Sequence, residues 1–125
     1  MNRSIRLINL KDQRIISDKC LVAESFVSRL RGWIGKTRAE SGEGILFPGC
    51  ASIHMWFMSI PIDVVFLRAV RAEGGERKVV TSAHSNVRPW KALPLGDGKA
   101  HETLELPAGS VERLGITPGD ELCIG

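Results

Sequence analysis

Cysteine is scarce in this chain, and what there is forms no framework. Cys20, Cys50 and Cys123 are odd in number and fall in no CxxC or CxxH spacing. That argues against a disulfide scaffold or a structural zinc site and leaves reduced, partly buried thiols. Long apolar runs are missing as well: nothing approaches the roughly 18–20 consecutive apolar residues of a membrane span. The opening Met-Asn-Arg-Ser-Ile-Arg-Leu-Ile-Asn-Leu is interrupted by charge too early for a signal peptide. A soluble, cytoplasmic protein is the expectation. Internal repeats, low-complexity tracts and interdomain linkers are also lacking, as are a nucleophile motif and a glycine-rich phosphate loop.

What is present suits one domain over residues 1–125. The chain is 43% hydrophobic and 25% charged, an ordinary globular balance, and its length can bury one core without staples. Formal net charge is +3, but residues 1–40 carry nine Lys/Arg against four Asp/Glu, so that third holds +5 and the remainder −2. A basic face can meet phosphate, yet a solvated basic face explains the same numbers, so nucleic acid is not the expected partner.

Periodicity points to short strands. Ser4 to Leu10 alternates, with Ile5, Leu7 and Asn9 opposed to Arg6 and Ile8; Lys11-Asp12-Gln13 is turn-like, and Arg14 to Val22 resumes a β-branched pattern, predicting a hairpin. Phe26, Val27, Leu30, Trp33 and Ile34 recur at helical spacing between a Ser25 cap and Gly35, predicting a helix over about 25–35. Strands are expected over 44–48, 52–57, 63–70, 77–83, 101–106 and 121–124. Ala72-Glu73-Gly74-Gly75-Glu76 supplies a hairpin turn, and a short helical turn falls at 110–114. His84 to Ala100, with Pro89, Pro94, Gly96 and Gly98, reads as an irregular excursion. The fold class is therefore α+β, mainly β: a small curled sheet or partial β-barrel of about seven or eight short strands.

Residues 50–67 hold the densest chemistry. On a strand, His54, Trp56 and Met58 share one face while Ile53, Met55 and Phe57 share the other. The second face is core. The first could line a pocket, or Trp56 and Met58 could fill a second core while His54 makes one satisfying hydrogen bond. Asp63 opens the apolar run Val64-Val65-Phe66-Leu67, where a carboxylate commonly accepts backbone N–H groups from the preceding turn. Glu105, between Leu104 and Leu106, is the solvent-facing member of a half-exposed strand. Turned inward, it would need a cation, for which Arg29, Arg88 and Lys91 are candidates.

The blocks Ser25-x3-Arg29-x2-Gly32, Gly44-Ile45-Leu46-Phe47, Ile53-His54-Met55-Trp56-Phe57-Met58-x2-Pro61-Ile62-Asp63-Val64-Val65-Phe66, Pro89-Trp90-Lys91 and Leu104-Glu105-Leu106-Pro107-Ala108-Gly109 resemble the bacterial and archaeal DUF192 family, also called UPF0127. The resemblance runs from about Ala23 to the C-terminus. It implies a small β-rich domain and a shared site at His54, Met58, Pro61, Asp63 and Glu105, but no reaction. Many members carry a secretion or lipid-anchor leader, which this chain is expected to lack.

Three functions follow. The first is a binding module for a small ligand, carbohydrate among the candidates, with a pocket lined by His54, Trp56, Met58, Asp63, Trp90 and Glu105 and with Arg29, Arg88 and Lys91 as basic partners. No catalytic residue, cofactor or metal is assigned by this reading. The alternative is a hydrolase pairing Asp63 and Glu105 with His54 as base, since glycosidic cleavage uses two carboxylates about 5–10 Å apart. A nucleic-acid-associated small β-barrel is a further alternative, suggested by the generic turn at Pro118-Gly119-Asp120.

Overall fold

The computed structural model describes residues 3–23, 42–53, 61–88 and 95–125. Nine strands and one short helix lie within them: β1 (Arg3–Asn9), β2 (Arg14–Val22), β3 (Glu43–Pro48), β4 (Ser52–Ile53), β5 (Ile62–Ala72), β6 (Gly75–Val87), β7 (Leu95–Gly96), β8 (Glu102–Pro107), α1 (Ser110–Leu114) and β9 (Glu121–Ile124). Seven strands close into a barrel in the order β1-β2-β3-β8-β5-β6-β9, and β4 pairs with β7 as a separate two-stranded sheet. Within the barrel, β2 and β3 run parallel and every other neighbouring pair is antiparallel.

Local chemistry explains much of this. The β1–β2 hairpin buries Leu7 and Asn9 while Arg6 stays exposed, as the alternation requires. At the β5–β6 turn, Gly74 and Gly75 adopt φ of 89° and 125°, a conformation that side chains with a Cβ resist. The strand β6 is longer than its sequence suggests, because residues 84–87 continue it rather than beginning an irregular stretch. Two bulges carry it onward, each adding one residue against β5: one between Ser82 and Val80, the other between Val87 and His84. A bulge breaks strict alternation, which hides the strand's continuation from a period-2 reading. The expected helix over 25–35 and the remainder of the expected strand 52–57 lie outside the described residues.

Because alternate residues face opposite ways, the barrel wall carries two cores. The interior holds Leu7, Ile16, Cys20, Val22, Leu46, Val65, Leu67, Val80, Leu104, Leu106 and Leu122, joined by Leu114 of α1 and Ile116. The outer face of β3-β8-β5 carries a second cluster, Ile45, Phe47, Ile62, Val64 and Phe66, with Ala23, Val87 and Ala100. The three cysteines are free, and burial pushes the interior Cys20 thiol up to about 12, so it stays protonated and inert at neutral pH. At the barrel end nearest the β5–β6 turn, the Lys78 ammonium sits 2.7 Å from Glu102 and 3.0 Å from Glu76. Burial draws that ammonium down, but the two carboxylates outweigh it and hold Lys78 above its ordinary value.

The last strand seals the ring, and Asp120 fastens it. The Asp120 carboxylate accepts from the Asn9 amide (3.0 Å), Lys11 Nζ (2.9 Å), the Thr117 backbone N–H (2.9 Å) and the Thr117 hydroxyl (3.0 Å). Burial alone would raise its pKa, yet these bonds hold it below the ordinary 3.8. A depressed carboxyl stabilises the fold above its unfolded value and loses that contribution as pH falls through the folded one. Stability is therefore expected to decline once pH drops below about 4. Denaturant midpoints recorded from pH 7 to pH 2 check this, and in Asp120→Asn the decline is expected to be visibly shallower.

Candidate functional site

The two acids singled out in the sequence occupy opposite faces of one sheet. Asp63 pairs with Leu106 and shares the interior face with Val65 and Leu67, whereas Glu105 pairs with Val64 and shares the outer face with Ile62 and Phe66. One substrate cannot lie between them, so the paired-carboxylate hydrolase and the single hollow containing both acids are set aside. The reason is register: 63 and 105 are offset by one residue across the β5–β8 ladder, and one residue inverts the face.

Asp63 is fully buried and its work is structural. Its Oδ1 accepts the backbone N–H of Asn86 at 2.8 Å, and its Oδ2 accepts that of Val111 at 2.8 Å. Asn86 lies in the second bulge with φ of 52°, so one oxygen pins the bulge. Val111 is in the first turn of α1, whose N-cap is Gly109 and has no side chain to serve the free N–H groups; the other oxygen serves as a cap supplied from a distant strand. Among the described residues, its donors are Asn86 and Val111, which lie downstream of Asp63.

Glu105 is buried, 5% exposed, not the solvent-facing residue expected of a half-exposed strand. The outer cluster covers its face, and that second layer is invisible to a count of alternating residues. Around Glu105 the pairings build two rows across β3, β8, β5 and β6. One runs Ile45–Glu105–Val64–His84, the other Phe47–Thr103–Phe66–Ser82. Glu105 and His84 therefore stand on the same face two strand spacings apart, about 9–10 Å between Cα atoms.

The second row continues into a polar chain that the sequence reading missed. Ser82 Oγ and Thr81 Oγ1 each lie 2.7 Å from Asp97 Oδ2, Asp97 Oδ1 accepts the Lys99 N–H at 2.9 Å, and His84 Nε2 lies 3.2 Å from Ser82 Oγ. The hydroxyls of Ser82 and Thr81, with that N–H, hold the Asp97 carboxyl below its ordinary value. The His84 ring also meets Phe66 edge-to-face at 5.6 Å. No local spacing announces these partners; only the bulge at Thr81 aims its hydroxyl toward Asp97.

Of the remaining candidates, Arg88 is exposed just beyond β6. His54, Trp56, Met58, Trp90, Arg29 and Lys91 lie outside the described residues. Ile53 pairs with Leu95, and Ile62 pairs with Val87. Ile62, Val87 and Leu95 all belong to or pack on the outer cluster. Among the described residues, no group of three or more His, Cys, Asp or Glu side chains is placed to hold a metal ion. A hollow of about 390 Å³ lies elsewhere, lined by Gly74, Glu76, Arg77, Lys78, Cys123 and Ile124 where β6 and β9 part.

Comparison with known proteins fits this architecture. The family model of DUF192, described as "Uncharacterized ACR", matches residues 8–124. The chain belongs to the DUF192 family. A "UPF0127 protein" of Thermococcus sibiricus is 30% identical over 120 residues, covering 93% of this chain and 72% of the relative. Two solved structures share the barrel at 24% identity. One, a "putative transcription regulator" of Sinorhizobium meliloti, superposes with a TM-score of 0.75 over 99% of this DUF192 chain and 94% of its own. The other, a protein of unknown function from Novosphingobium aromaticivorans, gives 0.76 over 98% and 84%. At that identity the likeness carries the fold alone. No helix among the described residues is long and apolar enough to cross a membrane.

Proposed function

We propose that this protein is a binding module for a small hydroxyl-rich ligand, a saccharide by class, taken up on the outer face over Glu105 and His84. The observation that carries the reading is a buried carboxylate and an imidazole in one otherwise apolar row, Ile45–Glu105–Val64–His84. Apolar walls bearing a few fixed polar groups are the usual make-up of small-molecule sites. His54, Trp56, Met58, Trp90 and Lys91 are the sequence-based candidates for further contacts to the ligand. Asp63 has no part in the site, and the reading calls for no catalytic step.

The test is titration of the full chain with methyl glycosides of glucose, galactose and mannose, followed by amide NMR shifts of Val64, His84, Thr103 and Glu105. Saturable shifts are expected, and Glu105→Gln is expected to weaken them at least tenfold, about 1.4 kcal/mol. Absence of saturable shifts for all three glycosides would overturn the reading. The name of the Sinorhizobium meliloti protein makes nucleic acid the alternative partner, and exposed Arg68 and Arg71 on the β5–β6 hairpin favour it. That alternative requires binding of duplex DNA at low salt that falls steeply as salt is added.

A further inference from the structure

The barrel wall is incompletely paired on one side. β6 and β9 pair at Lys78–Leu122 and Val79–Glu121, and the ladder stops there although β6 begins at Gly75 and β9 runs on to Ile124. The Val80 N–H donates to the Asp120 carbonyl, and the Glu121 carbonyl accepts the Leu10 N–H. By the alternation of an antiparallel ladder, the N–H and C=O groups of Glu76 therefore point toward β9 and those of Ile124 toward β6. These two edges face one another, unpaired, across the hollow of about 390 Å³ lined by Gly74, Glu76, Arg77, Lys78, Cys123 and Ile124. Open edges of this kind take up extended chains through main-chain hydrogen bonds.

Charge and size define what fits. Glu76 and Glu102 are engaged by Lys78, at 3.0 and 2.7 Å. Arg77 is half-buried and has no ion-pair or hydrogen-bond partner among the described residues. Its guanidinium lies beside the bare turn, where a Cβ added at Gly74 would stand 3.8 Å from Nη2. A planar guanidinium with free donors is matched by a carboxylate, which accepts two of them at once. Ile124, 52% exposed, adds an apolar contact. From Gly75 to Lys78 the β6 edge runs about 10 Å, the length of about three extended residues, and the volume falls at the small end of ligand sites. We infer that the gap between β6 and β9 binds a short peptide with a free carboxyl terminus, its main chain along the Glu76 and Ile124 edges, its carboxylate on Arg77 and an apolar side chain against Ile124. This site is separate from the outer face over Glu105 and does not rest on the saccharide reading.

The experiment titrates the full chain with acetyl-Ala-Val-Val bearing a free carboxyl terminus, with its carboxy-terminal amide, and with sodium acetate. Amide NMR shifts of Glu76 and Ile124 report on the two edges. Alkylation of Cys123 by iodoacetamide reports on the hollow, with the half-buried Cys50 as internal control. With the acid peptide, saturable shifts of both amides are expected, together with slower alkylation of Cys123 and an unchanged rate at Cys50. The peptide amide, and the acid peptide added to Arg77→Gln, are each expected to bind at least tenfold more weakly. The comparison of acid with amide uses the natural protein, so it decides the matter even where Arg77→Gln disturbs the hairpin. Equal affinity for acid and amide would overturn the recognition assigned to Arg77. Acetate that moves both amides as far as the acid peptide does would show a site for a simple anion, with no peptide read. The absence of saturable shifts at Glu76 and Ile124 would overturn the inference outright.

Discussion

Asp63→Asn is expected to lower the unfolding free energy by about 2–4 kcal/mol, with the loss concentrated at one end of the barrel. The carboxylate spends one oxygen on the Asn86 N–H and the other on the Val111 N–H, both at 2.8 Å and within a fully buried site. An amide keeps one acceptor oxygen and replaces the other with an NH₂ donor. One backbone N–H must then face another donor without water to relieve it. The bulge at Asn86 or the first turn of α1 gives way, depending on how the amide is turned. Denaturant unfolding measures the total, and hydrogen exchange separates the two: the amide of Asn86 or Val111 should exchange much faster while those of Leu104 and Val65 change only with global stability. A loss below about 1 kcal/mol would show that these bonds hold nothing that solvent could not replace. A loss of glycoside binding with stability intact would return Asp63 to the ligand site.

Phe66→Ala is expected to be equally severe, about 3–5 kcal/mol. Among the described residues, Phe66 is the largest fully buried side chain, and it belongs to the outer cluster, not the barrel interior. Its truncation removes the wall between Thr103 and Ser82 in the second row and the contact that props the His84 ring. Phe66→Leu, which keeps most of the volume, should cost less than about 1.5 kcal/mol. The comparison is made by chemical denaturation with both variants, reading midpoint and slope together. Should Phe66→Ala melt like the natural protein, the outer cluster would be a covering layer without energetic weight, and the candidate site would rest on no rigid floor.

How far the sequence could be read depends on how local the deciding forces are. The β1–β2 hairpin, the glycine turn at 74–75, the helical turn at 110–114 and the last strand at 121–124 all follow from neighbours within a few residues, and each is found where expected. The residues of the family resemblance lead to Asp63 and Glu105, but nothing in the sequence shows that they face apart, since that is settled by pairing between strands some forty residues distant. Asp63 finds its donors 23 and 48 residues downstream. Glu105 looked solvent-facing because alternation reports one covered face and cannot report a second. His84, Ser82 and Asp97 are not legible because two bulges shift the phase of β6 and because Asp97 lies 15 residues beyond Ser82. Chemistry assembled by tertiary pairing leaves no spacing to detect.

The seam of the ring has a consequence for biosynthesis. Among the described residues, the gap between β1 and β6 is filled by β9, whose four residues pair with Leu7–Asn9 on one side and Lys78–Val79 on the other. Until β9 has emerged from the ribosome, the nascent sheet has two raw borders of unsatisfied amides, each able to recruit a neighbouring chain. Translation that stalls after Asp120 would therefore deliver a sticky ribbon in place of a cylinder.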